Sequence, residues 1–166
     1  MTKKPVAAII MGSDSDLPVM EEAAKIFSEN GVAYEMKILS AHRSPDGAAK
    51  FAKNARAKGL KVIIAGAGGA AHLAGVLASH TTLPVIGVPM ETRELKGIDS
   101  LFSTVQMPSG VPVATVTIGK TGAKNAGILA LQILSLNDKK IEKILDNLKR
   151  SLVETIREKN KVSRLI

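Results

Sequence analysis

The fold is first indicated by Val6-Ala7-Ala8-Ile9-Ile10-Met11-Gly12, an unbroken apolar run that ends at a glycine. Pro5 precedes the run, and a short apolar segment between a proline and a glycine is typical of a buried β-strand. From Leu17 to Asn30 the apolar residues recur at helical spacing, and Gly31 is placed to end that helix. A buried strand that turns directly into a helix begins a βαβ unit.

The same alternation continues along the rest of the chain. The further strands are predicted at 32–39, 61–65, 84–88 and 113–118, and the further helices at 45–59, 71–80, 97–106, 121–136 and, as a C-terminal extension, about 137–166. This spacing builds a parallel sheet, and strands that are almost entirely apolar suit a sheet with helices on both faces. We therefore predict an α/β fold: a flavodoxin-like, three-layer α/β/α sandwich around a five-stranded parallel sheet in the order 2-1-3-4-5, with a C-terminal helix.

The composition limits the classes of function. A length of 166 residues favours a single domain spanning 1–166. The absence of cysteine excludes disulfides, thiolate catalysis and cysteine-based metal sites, and it fits a cytoplasmic protein. No apolar run approaches the roughly 20 residues that a membrane-spanning helix needs. Met1–Pro5 is expected to be a mature cytosolic terminus rather than a signal peptide.

The net charge of +8 raises the question of a nucleic-acid partner. Aromatic residues make up only 2% of the chain, so few side chains could stack on bases. Residues 137–166 carry nine Lys/Arg and five Asp/Glu, which places +4 of the +8 on one predicted helix with a solvated face. We therefore expect an anionic metabolite as the partner, since a basic protein attracts one, and neither nucleic acid nor a membrane.

The two C-terminal helices carry more apolar surface than a domain of this size needs. The helix at 121–136 is apolar nearly all round, and the last helix has an apolar stripe. The stripe consists of Ile141, Ile144, Leu145, Leu148, Leu152 and Ile156. This surplus favours a homo-oligomer in which 137–166 is a contact surface. The alternative is that the last helix folds back on its own subunit.

The loop after the first strand, Gly12-Ser13-Asp14-Ser15-Asp16, is suited to a sugar phosphate. Gly12 allows a sharp turn and a close approach of the backbone to a ligand. Ser13 and Ser15 offer hydroxyl groups beside the free N–H groups of a helix N-terminus, which attract phosphate. The Asp16 carboxylate could accept hydrogen bonds from two ribose hydroxyls. The alternative role of Ser15 or Asp16 is ordinary helix capping.

The loop after the second strand, Ser40-Ala41-His42-Arg43-Ser44-Pro45, carries a candidate catalyst. Arg43 can pair with a phosphate through two hydrogen bonds. His42 can both give and take a proton near neutral pH, as an acid/base catalyst must. A lone histidine is more often structural, but this one lies in a polar loop, beside an arginine, at the predicted switch in strand order.

The loop after the third strand, Gly66-Ala67-Gly68-Gly69-Ala70-Ala71-His72-Leu73, consists mainly of small residues. Gly66, Gly68 and Ala71 match a dinucleotide-binding fingerprint, but that pattern normally follows the first strand of a fold. We interpret the loop instead as a surface of small residues on which a flat ring can lie against backbone amides. His72 could serve either the site or the structure.

The three loop motifs, taken from Met11 to Leu73, together resemble the N5-carboxyaminoimidazole ribonucleotide mutase family, the mutase class of PurE. The resemblance extends through Gly97–Leu101, Val105–Pro108 and Ile118–Ala126, and it covers about residues 5–135. Each motif alone is moderately specific, whereas their order along the chain is highly specific.

The resemblance implies a reaction in which a carboxylate moves from the exocyclic N5 of carboxyaminoimidazole ribonucleotide to ring carbon C4. The implied path is decarboxylation to aminoimidazole ribonucleotide and trapped CO2, followed by carboxylation at C4, with His42 as the general acid/base. The resemblance also implies that the reaction needs no metal, biotin, ATP or other cofactor, and that the protein forms a homo-octamer.

The resemblance assigns substrate contacts to the same loops. Ser13, Ser15 and Arg43 would hold the phosphate, Asp16 the ribose hydroxyls, and the Gly66–Ala71 backbone the ring and its carboxylate. The full predicted binding set is Ser13, Ser15, Asp16, Ser40, Arg43, Ala67, Gly68, Ala70, His72 and Leu73.

Two positions depart from the family pattern. Asp14 stands where lysine is frequent, so its side chain is expected to point away from the phosphate. Ala74 stands where proline is frequent, which could loosen the start of the helix that follows.

Two other functions stay open. A related branch of the family carboxylates aminoimidazole ribonucleotide directly with CO2, but its third loop differs from the Gly-Gly-Ala-Ala-His-Leu present here. A noncatalytic sensor of a phosphorylated metabolite could share the fold. Met107–Pro112 is either a lid or a plain connecting loop.

Overall fold

The computed structural model describes residues 4–163, along which five β-strands alternate with α-helices. The strands are β1 (Ala7–Met11), β2 (Tyr34–Ile38), β3 (Val62–Ala67), β4 (Val85–Pro89) and β5 (Ala114–Thr115). The helices are α1 (Leu17–Glu29), α2 (Pro45–Ala55), α3 (Leu73–Ser79), α4 (Ile98–Val105), α5 (Gly119–Ser135) and α6 (Lys139–Ser163). Residues 1–3 of the predicted terminus and 164–166 of the predicted last helix lie outside the described residues.

The sheet is parallel and has the order β2-β1-β3-β4-β5, which confirms the predicted topology. β1 lies between β2 and β3, with Ala7 opposite Tyr34 on one side and Val62 on the other. All of β1 is buried, as its apolar run predicts. Because the strand order reverses at β1, the loops after β1, β2 and β3 come together at the carboxyl edge of the sheet.

Helices cover both faces of the sheet, so the predicted three layers are present. On one face, Ile10 belongs to a buried cluster that includes Phe51 of α2 and Leu77 of α3. On the other face, α1 packs against β1, and α5 approaches α1 closely at Gly127. A Cβ atom at Gly127 would lie 2.9 Å from Ile26 Cβ, so the close contact of these helices requires glycine there.

The fifth strand is shorter than the sequence predicts. Only Ala114–Thr115 form a strand, instead of 113–118, and they pair on one side alone, with β4. The Val116 N–H still donates to the Gly87 carbonyl (3.0 Å), and the chain then turns to begin α5 at Gly119. The β-branched residues of the segment predict a longer strand, but an edge strand has no second partner to extend its ladder.

The chain divides into two compact units, one that reaches Ala130 and one that begins at Leu131. The first contains the sheet, α1–α4 and most of α5, and the second contains the end of α5 and α6. Within α6, Leu152 and Ile156 of the predicted apolar stripe are 55% and 56% exposed. No helix within residues 4–163 has the length and apolar character needed to cross a membrane.

Candidate active site

A cavity of about 370 Å³ opens where the three predicted loops meet, at the carboxyl ends of β1, β2 and β3. Its lining residues are Gly12, Ser13, Ser15, Asp16, Ser40, Ala41, His42, Arg43, Ala67, Gly68, Ala70, His72, Leu73, Met90 and Glu91. Each residue predicted for the site is among them. Segments that are far apart in sequence therefore form one concave surface of a size that suits a small molecule.

A capping box shapes the first loop. The Ser13 N–H donates to Asp16 Oδ2 (3.2 Å), and Ser13 Oγ accepts from the Ser15 N–H (3.4 Å). Ser13 is therefore the cap residue of the short 3₁₀ turn that precedes α1, and the Asp16 carboxylate completes its capping box, so Asp16 does take part in capping. Burial raises the pKa of the Asp16 carboxyl, and the hydrogen bonds from backbone N–H groups oppose that shift without cancelling it.

The Asp14 carboxylate, which the sequence predicts to point away from the phosphate, bonds to the first loop itself. Its Oδ1 accepts hydrogen bonds from Ser13 Oγ (3.0 Å) and from the Ser15 N–H (3.1 Å). These hydrogen bonds, with that from Ser13 the largest influence, hold the pKa of the Asp14 carboxyl below its usual value. Asp14 does not line the cavity, yet it occupies two donors that a phosphate at this turn would use.

Two serines hold the second loop. Ser40 Oγ accepts a hydrogen bond from the Arg43 N–H (3.1 Å). Ser44 Oγ accepts one from the Ser40 N–H (3.0 Å) and donates one to the Ser40 carbonyl (3.1 Å). Pro45 then begins α2, as predicted. These bonds fix the backbone of the loop and leave the side chains of His42 and Arg43 exposed at the cavity.

His42 and His72 form a pair across the cavity. His42 Nε2 lies 2.8 Å from His72 Nδ1, and the rings are nearly perpendicular, with centroids 4.9 Å apart. One ring must donate and the other accept, so the tautomer of each ring depends on that of its partner. His72 precedes α3 without capping it through its side chain. The ring of His72, whose role the sequence leaves open, thus lies in the cavity in contact with the candidate catalyst.

Four lining residues are absent from the predicted set: Gly12, Ala41, Met90 and Glu91. Gly12 and Ala41 belong to the first two loops. Met90 and Glu91 follow β4, and the rule that ligands bind beyond the carboxyl ends of parallel strands would have found them if applied to this strand as well. Met107–Pro112, considered as a lid, does not line the cavity.

Nothing in the described part of the chain forms a metal centre of the usual kind. Within residues 4–163, no three His, Cys, Asp or Glu side chains are grouped so that they could hold a metal ion. The polar atoms around the cavity are instead hydroxyls, backbone amides, carboxylates, a guanidinium and two imidazoles. This set can bind an anion and move a proton.

Comparisons with known proteins agree with this geometry. Residues 6–155 match the family model described as AIR carboxylase. The N5-carboxyaminoimidazole ribonucleotide mutase of Pyrococcus horikoshii is 56% identical over 160 residues, covering 96% of this chain and 89% of the relative. The mutase of Bacillus subtilis is 55% identical over 155 residues, covering 93% and 96%. The crystal structure of Treponema denticola PurE superposes with a TM-score of 0.86 at 30% identity, covering 95% of this chain and 97% of that one. With loops, cavity and sequence in agreement, the chain belongs to the AIR carboxylase family.

Proposed function

We propose that this chain is a mutase that moves a carboxyl group from N5 to C4 of carboxyaminoimidazole ribonucleotide, giving 4-carboxy-5-aminoimidazole ribonucleotide in purine (IMP) biosynthesis. The observation that carries the proposal is the His42–His72 pair at a small polar cavity. Eight relatives that are 53% to 58% identical and are named as this mutase support the substrate.

The first two loops would hold the ribose phosphate. Ser13 and Ser15 bring hydroxyl and backbone donors to one turn of the chain, and Arg43 brings a guanidinium to the same cavity. Asp16, whose carboxylate is partly buried, would accept the ribose hydroxyls. This division leaves the reacting ring to the third loop, where Ala67, Gly68 and Ala70 offer backbone without bulky side chains.

His42 would supply the proton chemistry. The bond between N5 and its carboxyl carbon breaks, CO2 leaves, and C4 then forms a bond to the same carbon. The ring loses the C4 proton, and the N5 amine gains one, so one proton moves in total. A single imidazole that carries a proton can deliver it to N5 as CO2 leaves and then take the proton from C4 once the new bond has formed, so the imidazole ends as it began. The bond to His72 Nδ1 holds the His42 ring in one orientation and lets the pair share the moving proton.

The cavity would keep the CO2 molecule beside C4 between these two steps. A reactant held in place behaves as if it were present at high concentration, because recombination no longer depends on an encounter in solution. The proposed chemistry consists of breaking a carbon–nitrogen bond, moving a proton and forming a carbon–carbon bond, and it uses no cofactor.

The proposal is tested with purified protein and N5-carboxyaminoimidazole ribonucleotide. We expect rapid formation of the C4 product by the wild type, and a loss on the order of 10²-fold to 10⁴-fold in kcat for His42→Asn, as is typical when a general acid/base is removed. Binding of substrate by His42→Asn, measured by calorimetry, should stay within about threefold of wild type, since the phosphate and ribose contacts remain.

Two outcomes distinguish the alternatives. Efficient product formation from aminoimidazole ribonucleotide at modest bicarbonate would instead identify a direct carboxylase. Tight binding without turnover by the wild type would identify a metabolite sensor.

We further propose that the chain assembles as a homo-octamer in the cytoplasm. Ile98, Phe102 and Val105 of α4 are 48%, 57% and 48% exposed and lie on one helical face, and such apolar surface is typical of a contact. The lack of cysteine supports a reducing compartment. Light scattering after size-exclusion chromatography should give eight subunits at micromolar concentration, and a monomer there would contradict the assembly.

Binding of duplex DNA or RNA at physiological salt would contradict a role confined to the nucleotide.

A further inference from the structure

The backbone of Gly69, at the centre of the third loop, is held from outside the loop. Gly68 and Ala70 on either side line the cavity, whereas Gly69 does not. The Gly69 N–H donates to Ser100 Oγ (2.9 Å). Ser103 Oγ lies 3.1 Å from the Gly69 carbonyl and 2.8 Å from the Asp99 carbonyl of its own helix, so its one proton is shared between these two acceptors. Both serines belong to α4 and are three residues apart, so they lie on one face of the helix. We refer to Ser100 and Ser103 as the serine pair.

The placement of Ser100 is unusual for a helical hydroxyl. Buried serine and threonine side chains commonly bond a carbonyl of their own helix, as Thr104 Oγ1 does with the Ser100 carbonyl (2.7 Å). Ser100 is fully buried, and its Oγ accepts from a separate segment of the chain. A buried hydroxyl that serves a distant backbone donor specifies where that segment lies, because an unpaired donor would be unfavourable there.

Gly69 has few other means of being held. Its φ is +67°, and no atom beyond its two chain neighbours lies within 4 Å of the position that a Cβ would occupy, so side-chain packing does not fix it. Its carbonyl also accepts from the Ala71 N–H (2.8 Å), and the next carbonyl, of Ala70, accepts from the His72 N–H (2.8 Å). A fixed Gly69 therefore fixes the turn that leads to His72.

We infer that Ser100 and Ser103 are positioning residues for the reaction. By holding Gly69 they keep Gly68 and Ala70 in place as the wall of the cavity, and they keep His72 within hydrogen-bond reach of His42. The effect on turnover rests on the proposed function, whereas the effect on the histidine pair does not.

The test compares Ser100→Ala and Ser103→Ala with Thr104→Val. Thr104 is the matched control because it lies on the same helix, is buried, and bonds its own helix with its hydroxyl. A displacement near 1 Å in an active site reduces rates by on the order of 10²-fold. We therefore expect kcat to fall about 10-fold to about 100-fold in both serine variants, with KM within about threefold and the control within about twofold. Ser103→Thr, which retains the hydroxyl, should recover most of kcat.

A second measurement separates this inference from the proposed function. The ¹⁵N signals of the imidazole rings, recorded without substrate, should shift in Ser100→Ala and Ser103→Ala and stay unchanged in the control. Shifted signals in a protein that lacks mutase turnover would support the positioning and overturn the function. Unshifted signals in folded variants, together with kcat within about twofold of a working wild type, would overturn the positioning. If Ser100→Ala unfolds, Ser103→Ala carries the same test, because Ser103 is only partly buried.

Discussion

Replacement of His72 with alanine measures how the two histidines divide the chemistry. The His72 side chain is exposed and does not cap α3, so its removal should lower the free energy of unfolding by no more than about 1.5 kcal/mol, the upper value for one hydrogen bond. The main loss is the 2.8 Å hydrogen bond to His42 Nε2. A hydrogen bond of this kind contributes about 0.5–1.5 kcal/mol. At about 1.4 kcal/mol per factor of ten, kcat should fall about 2-fold to about 12-fold.

The comparison with His42→Asn makes this prediction sharp. Loss of the general acid/base should lower kcat on the order of 10²-fold to 10⁴-fold, well outside the range expected for His72→Ala. Both variants are assayed for the C4 product over a range of pH. His80→Ala is the matched control, since His80 is the third histidine of the chain and does not line the cavity. Equal losses in the two variants would refute the division of roles, because His72 would then act as an acid/base itself. No loss in His72→Ala would refute any role for the bond.

Three further predictions follow from the packing and the charges. A Cβ at Gly87 would lie 2.4 Å from Thr104 Cγ2 and 2.9 Å from Val113 Cγ1. Gly87→Ala should therefore lower the free energy of unfolding, measured by urea titration, by about 1–3 kcal/mol. Thr104→Ser removes the nearest atom and should recover part of that loss, whereas strictly additive effects would contradict the clash. Burial raises the pKa of Asp16, so the folded chain binds this proton more tightly than the unfolded chain, and stability should fall as pH rises through the raised pKa. Asp16→Asn should remove that fall in stability, as measured by thermal melts over a range of pH. The KM of the wild type should rise as pH drops through the same range, because a protonated Asp16 accepts the ribose hydroxyls less well. A wild-type stability that does not change with pH in this range would contradict the prediction. Asp14→Asn should strengthen binding of inorganic phosphate about 2-fold to about 5-fold at low salt, with the gain lost at high salt, and calorimetry that shows equal affinity at low salt would contradict it.

The sheet and the site loops were predictable because their signals are local. The run from Val6 to Gly12 predicts both a buried strand and its end from a few adjacent residues. Pro45 likewise predicts the start of α2 from a single residue. Once strands alternate with helices, the carboxyl-edge rule brings His42 and the third loop together without any knowledge of tertiary contacts.

The features that the sequence did not predict depend on neighbours in space. The length of β5 depends on its place at the edge of the sheet, which the β-branched residues of 113–118 do not encode. Ser100 and Gly69 are 31 residues apart, and no periodicity connects a helical serine to a distant backbone amide. Asp14 was expected to point away from the phosphate on charge alone, and its hydrogen bonds from Ser13 Oγ and the Ser15 N–H depend on a turn geometry that the sequence does not show.

The assembly of the cavity from three βα units affects the stability and abundance of the protein in the cell. Gly12–Asp16, Ser40–Arg43 and Ala67–Leu73 meet only after β1 has paired with both β2 and β3. A partly folded chain therefore offers no complete site, and the ligand binds the native state alone. A free ligand concentration of 100 times the dissociation constant would then add about 2.7 kcal/mol to the stability of the native state. A cell rich in the nucleotide would protect this protein from unfolding and proteolysis, and its abundance would follow the supply of its own substrate.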